Sequence, residues 1–187
     1  MTYTVFGGTL NHTLPTCYKL LVRLALQRIS PTVEGILSQD QAGFWKERST
    51  CEQVAALTSY IGSGFQQNLK TGAVFLDLTT AHDTVWHTGI TGLMFKLSKS
   101  MPNWFTRLVN LLLRDRLFRV HMSTSSWRSQ HNGLPQGSVL APVLFIVYTN
   151  DLPATQGRKF IYADDICLAA QAQYFSELEC SLSSDMA

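Results

Sequence analysis

The sequence predicts an α+β fold, a sheet carrying helices on one face, and three features of the 187-residue chain predict it. Helix-length stretches with apolar residues near 3.6-residue spacing alternate with short β-prone runs. The run Ala73-Val74-Phe75-Leu76-Asp77-Leu78 is apolar and bounded by turn signals, as a central strand is. Phe160 to Ala170 reads as a β-hairpin closed at Asp164-Asp165.

Taken in order, Met1 to Thr16 reads as irregular, with Gly7-Gly8 and Pro15. Cys17 to Ile29 places Leu20, Leu21, Leu24, Ala25 and Ile29 near helical spacing, and Ser30-Pro31 is expected to end that helix. Pro31-Thr32-Val33-Glu34 can start a short second one. Gln41 to Thr50 is polar and reads as a loop, and Thr50 to Gln67 as a helix. After the 73–78 strand, Asp83-Thr84 suits an N-cap for a helix over Val85 to Ser98. Met101-Pro102-Asn103 breaks it, and Trp104 to Arg114 is again helical. Phe118 to Met122 alternates as a strand does, and Trp127 to Gln130 can pair back with it. Gly133 to Gly137 is a loop before a helix over Ser138 to Asn150, which tolerates Pro142 near its start. Ser176 to Met186 has helical character.

Hydrophobic content of 45% and charged content of 15% support a real core and argue against wholesale disorder. A net charge of +2 neither requires nor excludes a nucleic-acid partner. The four cysteines, Cys17, Cys51, Cys167 and Cys180, are scattered, with no C-x-x-C pair. No apolar run is long enough to span a membrane, and Met1 to Leu10 lacks the pattern of a signal peptide. The expected setting is intracellular, nuclear or cytoplasmic.

The chemistry concentrates in three segments. Asp164 and Asp165 sit between apolar, β-prone residues, where carboxylates are costly unless paired or bound to metal. The same two residues also fit an ordinary turn. Asp77 stands in a similar run, as a second acid on a strand or as a turn cap. Strands side by side would let Asp77 and Asp164 share two metal ions ~3.5–4 Å apart, an arrangement suited to phosphoryl transfer. The third segment is Asn132-Gly133-Leu134-Pro135-Gln136-Gly137-Ser138-Val139-Leu140-Ala141-Pro142. Its glycines let backbone approach a ligand, and Gln136 can donate and accept hydrogen bonds. Alone, it is no more than a Gly-Pro loop preceding a helix.

Together the three resemble the polymerase core of reverse transcriptases. Phe75-Leu76-Asp77-Leu78 matches the first acidic motif, Leu134-Pro135-Gln136-Gly137-Ser138 the middle motif, and Tyr162-Ala163-Asp164-Asp165 the second acidic motif. Gln41-Ala42-Gly43-Phe44, Arg48-Ser49-Thr50, Ala81-His82-Asp83-Thr84-Val85-Trp86-His87 and Tyr148-Thr149-Asn150-Asp151-Leu152-Pro153 are similar to linking sequences of non-LTR (LINE-type) retrotransposon enzymes. The likeness runs from about Tyr18 to the C-terminus.

The resemblance implies a polymerase palm, an antiparallel sheet with helices on one face, plus partial, mostly helical fingers and no thumb. Residues 1–16 would be an irregular start, 17–70 partial fingers and 71–187 the palm. It implies template-directed DNA synthesis from an RNA template and a DNA primer, with deoxynucleoside triphosphates and two Mg²⁺ ions, or Mn²⁺ in their place. Asp77 and Asp164 would be the principal metal ligands, Asp165 the third acid, and the Leu78 carbonyl a further ligand. Gln136 and Gly137 would line the nucleotide and template pocket. His82 falls where the family usually has Phe or Tyr under the sugar.

Three departures accompany the likeness: His82 itself, Trp45 where Arg often follows Gly-Phe, and Thr9 to Thr16, which holds no Arg or Lys where the family carries an Arg-Pro-Ile-Ser-type segment. A triphosphate without that basic group loses charge-assisted hydrogen bonds. The second reading is therefore a catalytically inactive remnant that at most binds nucleic acid. A third, a generic α+β ligand-binding domain, requires Asp77 and Asp164 to lie apart. Trp86, Trp104 and Trp127 are expected to pack rather than stack on bases. Arg114, Arg116 and Arg119 form a basic cluster, solvated or facing a nucleic-acid backbone. His87, His121 and His131 show no ligand-like grouping.

Overall fold

The computed structural model describes residues 3–5, 13–45, 48–120 and 126–186. The chain forms two compact units, each assembled from separate stretches of sequence: Met1–Ile36 with Thr80–Tyr148, and Leu37–Thr79 with Thr149–Ala187.

In the first unit, strand β1 (Tyr3–Val5) precedes helix α1 (Thr13–Ile36). The segment read as an irregular start thus contributes a strand and the first turn of a helix; residues 6–12 lie outside the described residues. Pro15 falls in that first turn, where no partner for a backbone N–H is needed. Helix α1 also runs through Pro31, against the expectation that Ser30-Pro31 ends it. Its buried stripe continues on both sides of the proline, through Val22, Ala25, Ile29 and Val33, so packing outweighs the lost hydrogen bond. Pro31 itself faces outward.

Helix α2 (Thr50–Gln66) and strand β2 (Lys70–Asp77) belong to the second unit. The chain returns to the first unit with helices α3 (Leu93–Ser100) and α4 (Asn103–Leu113) and strands β3 (Leu117–Val120) and β4 (Arg128–Ser129). Strands β1, β3 and β4 form an antiparallel sheet in that order. The expected end of the β3 strand, His121 and Met122, lies outside the described residues. The helix expected over 85–98 is only α3, and Asp83 is not its cap. Residues 85–92 instead spend their backbone groups elsewhere: the Val85 carbonyl accepts from Gly133 N–H at 2.8 Å and the Trp86 carbonyl from Leu93 N–H at 2.8 Å. Helix α5 (Ala141–Tyr148) closes this unit, shorter than the expected 138–150 span. It buries Ala141, Leu144, Phe145, Ile146 and Val147.

The second unit resumes with strands β5 (Arg158–Tyr162) and β6 (Asp165–Ala172) and helix α6 (Phe175–Asp185). Its antiparallel sheet has the order β2-β6-β5, so β6 is central and β2 an edge, not the central strand expected. Edge position fits β2's exposed Phe75, at 73%.

Helices cover both faces of this sheet, which corrects the one-face expectation. Phe160, Cys167 and Ala169 pack against Ala56, Leu57 and Tyr60 of α2. Ile161, Ile166 and Leu168, on the opposite face, pack against Leu182 of α6 with Leu76 and Leu152. The cause lies in β6. Ile166 to Ala170 is apolar and buried at every position rather than alternating, so each face needs cover. The α+β class holds.

Candidate functional site

The sheet of the second unit ends in a row of polar side chains. Asp77, the last residue of β2, lies directly opposite Asp165, the first residue of β6, which in turn lies opposite Tyr162 of β5. Asp77 and Asp165 are exposed and Asp164 is half-buried. Opposed residues of an antiparallel pair share a face, with Cβ atoms about 4.5–5.5 Å apart, and like charges there repel. A cation between them turns that repulsion into attraction. Asp164 belongs to the two-residue turn Ala163-Asp164 joining β5 to β6. Leu78, whose carbonyl was read as a ligand, follows Asp77 directly and is exposed.

The donors are all hard oxygens at an open end of the sheet. Mg²⁺ suits such a setting, because it takes one or two protein carboxylates and completes its shell with water and phosphate. Among the described residues no group of three or more His, Cys, Asp or Glu side chains is gathered closely enough to hold a metal ion. Asp77 and Asp165 thus stand as two opposed carboxylates at an open end of the sheet.

A residue that sequence reading missed holds the turn. Gln41, placed in a polar loop, is 5% exposed. Its Oε1 accepts from Gly43 N–H at 2.7 Å and Ala163 N–H at 2.9 Å, and its Nε2 donates to the Ala163 carbonyl at 3.2 Å. The only sequence signal was its place in the Gln-Ala-Gly-Phe segment.

The first unit carries the Gln-Gly loop. Gly133 and Gly137 have φ of +83° and +81°. The loop is tied to residues 82–85 by Gly133 N–H to the Val85 carbonyl and Leu134 N–H to the His82 carbonyl, each 2.8 Å. The Gly133 carbonyl accepts from His87 Nε2 at 2.7 Å and Arg116 Nη1 at 2.8 Å. Arg116 Nη2 also donates to Gln130 Oε1 at 2.8 Å. Gln136 Nε2 donates to Asp83 Oδ1 at 3.0 Å, which gives Asp83 a role other than the helix cap expected of it.

An open cavity of about 380 Å³ lies beside this loop, lined by His82, Gln136, Gly137, Ser138, Val139, Ala141 and Pro142. The His82 ring stacks on Phe145, with centroids 4.7 Å apart and planes 17° apart. Burial lowers the His87 pKa below its ordinary 6.5, opposed by the bond to Gly133 and assisted by Arg116 and His131. Burial likewise lowers that of Arg116 and raises that of the Cys167 thiol.

These contacts revise the secondary readings. Arg116 is a buried anchor of the loop, not part of a solvated basic face. Arg114 is exposed and pairs with Asp115 at 3.1 Å; the Arg119 side chain lies outside the described residues. Trp86 is 58% exposed and is not a core residue. Trp104 packs edge-on to Phe105 and under the Arg28 guanidinium. No helix among the described residues is long and apolar enough to cross a membrane.

Comparison with known proteins adds the family. The profile described as reverse transcriptase (RNA-dependent DNA polymerase) matches residues 11–183. A Drosophila melanogaster protein named "Probable RNA-directed DNA polymerase from transposon BS" is 39% identical over 168 residues, covering 83% of this chain and 18% of that protein. The corresponding protein of the Drosophila melanogaster transposon X-element is 31% identical over 170 residues, covering 86% of this chain and 18% of its own length. The RNA-directed DNA polymerase from mobile element jockey of Drosophila funebris is 31% identical over 172 residues, covering 85% and 18%. The chain thus spans 18% of the length of each of these relatives.

Proposed function

The chain belongs to the reverse transcriptase family, and on that premise we propose that it is part of the polymerase core of a non-LTR mobile-element enzyme, acting in RNA-templated DNA synthesis. The observation that carries this reading is the register of Asp77 opposite Asp165, with Asp164 in the adjoining turn. In this reading residues 71–187 form the palm and 17–70 part of the fingers, after the start at 1–16.

Asp77, Asp164 and Asp165, with the Leu78 carbonyl, would hold two Mg²⁺ ions, or Mn²⁺ in their place. When bound, such ions activate a primer 3′-hydroxyl and offset the charge of the departing pyrophosphate. His82, Gln136 and Gly137 would contact nucleotide and template. Asp83 fixes the Gln136 amide through the 3.0 Å bond, so its carbonyl oxygen is oriented before a ligand arrives. His82, stacked on Phe145, gives the cavity a flat wall against which a sugar can pack. RNA template, DNA primer and deoxynucleoside triphosphates are the partners this chemistry needs.

Primer extension on an RNA template with Mg²⁺ tests the reading. It expects template-dependent extension that Asp164→Ala abolishes; synthesis persisting in that variant refutes the assigned site. A second reading, a remnant that binds nucleic acid without extending it, is favoured by His82 in the wall where the family usually has Phe or Tyr. Salt-dependent binding of primer–template with no extension supports it, and robust extension rejects it.

A further inference from the structure

The geometry points to Gln41 as a positioning residue that sets the conformation of the Ala163-Asp164 turn and thereby presents its acids to a divalent cation. This inference rests on the metal reading above and names the device that maintains it.

The turn is strained where it matters. Ala163 has φ of +58°, a conformation that a Cβ makes unfavourable and that persists only when surroundings impose it. Ala163 is also buried, at 7% exposure, so its backbone N–H and carbonyl need partners other than water. One side chain supplies both. The Gln41 Oε1 accepts the Ala163 N–H at 2.9 Å, and its Nε2 donates to the Ala163 carbonyl at 3.2 Å. Because the amide plane is rigid, the two bonds fix the orientation of the peptide groups flanking Ala163. The second acceptance by Oε1, from Gly43 N–H at 2.7 Å, locks the amide itself.

Backbone contacts run beside this clamp. Ala42 N–H donates to the Ile161 carbonyl at 2.9 Å and Ile161 N–H to the Asp40 carbonyl at 3.0 Å, so residues 40–42 form a short parallel rail along β5. The rail is itself held by Gln53 of α2, whose Nε2 donates to the Asp40 carbonyl at 3.1 Å. Arg48 Nη1 adds a bond to the Gln39 carbonyl at 2.7 Å. Gly43 lets the rail close on the turn: a Cβ there would stand 2.1 Å from the Ala163 nitrogen. Asp164 is the next residue in the chain, and Asp165 the one after it. A rotation released at Ala163 is therefore transmitted directly to both acids.

The test is an Mn²⁺ titration of the full chain, with free Mn²⁺ counted by electron paramagnetic resonance, alongside circular dichroism and thermal melting. Wild type is compared with Asp165→Asn, Gln41→Met and Gly43→Ala. The Gln41→Met side chain nearly preserves volume and removes all three bonds; Gly43→Ala keeps the Gln41 amide but crowds the Ala163 nitrogen at 2.1 Å and the Gln41 Oε1 at 2.9 Å, displacing the same turn. Both are expected to raise the Mn²⁺ Kd roughly tenfold with secondary structure retained, the population loss expected when an L-residue at positive φ is no longer restrained. Gln41→Glu keeps the accepting oxygen but sets a carboxylate oxygen against the Ala163 carbonyl in place of the donating amide, so it too should raise the Kd, and it decides the matter if Gln41→Met does not fold. An unchanged Kd beside a lowered melting temperature makes Gln41 a packing residue only and overturns the inference. Wild-type binding that is absent, or indifferent to Asp165→Asn, overturns the metal reading itself, a failure with a separate signature.

Discussion

Replacing Asp165 with asparagine removes one of two carboxylates that face each other across β2 and β6, and the consequence has opposite signs with and without metal. At an opposed-pair spacing of about 5 Å, two exposed charges in water repel by about 0.8 kcal/mol. Screening at 0.15 M ionic strength reduces this to about 0.4 kcal/mol, and at 0.01 M leaves about 0.7 kcal/mol. In EDTA, Asp165→Asn should therefore melt about 1–2 °C above wild type at physiological salt, with a larger gap at low salt. In Mn²⁺ the order should reverse. Wild type gains about 1.4 kcal/mol when the free ion stands near ten times its Kd, and the variant, missing a ligand, gains less. Differential scanning calorimetry of both proteins in EDTA and in Mn²⁺, at two ionic strengths, reads these differences. A variant no more stable than wild type in EDTA, or one that Mn²⁺ stabilises equally, refutes the claim that these carboxylates oppose each other and share a cation.

Three further outcomes follow from the contacts described. Burial lowers the His87 pKa, so the unfolded chain takes up that proton more readily than the folded one. The resulting stability is fully present above pH 6.5 and is lost as pH falls through the lower folded value, so acid melts should show a decline that His87→Gln flattens. Gly133→Ala puts a methyl group 2.8 Å from the Asp83 carbonyl oxygen at a φ of +83°, and should cost about 1–3 kcal/mol in urea denaturation. Pro31→Ala restores a backbone N–H and removes a ring clash within α1. It should stabilise the chain by about 1–3 kcal/mol, and no gain in the urea midpoint would show that α1 is interrupted there.

What the sequence revealed, and what it hid, divides along physical lines. Asp77, Asp164 and Asp165 stood out because charge inside an apolar, β-prone run conflicts with burial, and their strands do lie side by side. The Gln-Gly loop was visible because glycine and proline punctuate backbone conformation locally. The Gln41 clamp was not, since its partner Ala163 lies 122 residues away and a buried amide looks like any polar loop residue. Arg116 was misread for the same reason: its value lies in the Gly133 carbonyl, 17 positions on. The overlong helix at 85–98 came from treating Asp83 as a cap, whereas the neighbouring backbone pairs with the loop at Gly133 and Leu134. The second covered face of the sheet was legible in principle, in the unbroken apolar run Ile166 to Ala170.

The most direct test of the central claim is a metal-switch experiment on Asp164. Asp164→Cys replaces a hard carboxylate with a softer thiolate, which binds Mn²⁺ better than Mg²⁺. RNA-templated single-nucleotide incorporation by the full chain is then measured in each metal. Wild type is expected to incorporate the nucleotide in either metal, while the variant loses activity in Mg²⁺ and regains part of it in Mn²⁺. Incorporation by Asp164→Cys in Mg²⁺ at the wild-type rate would contradict the claim.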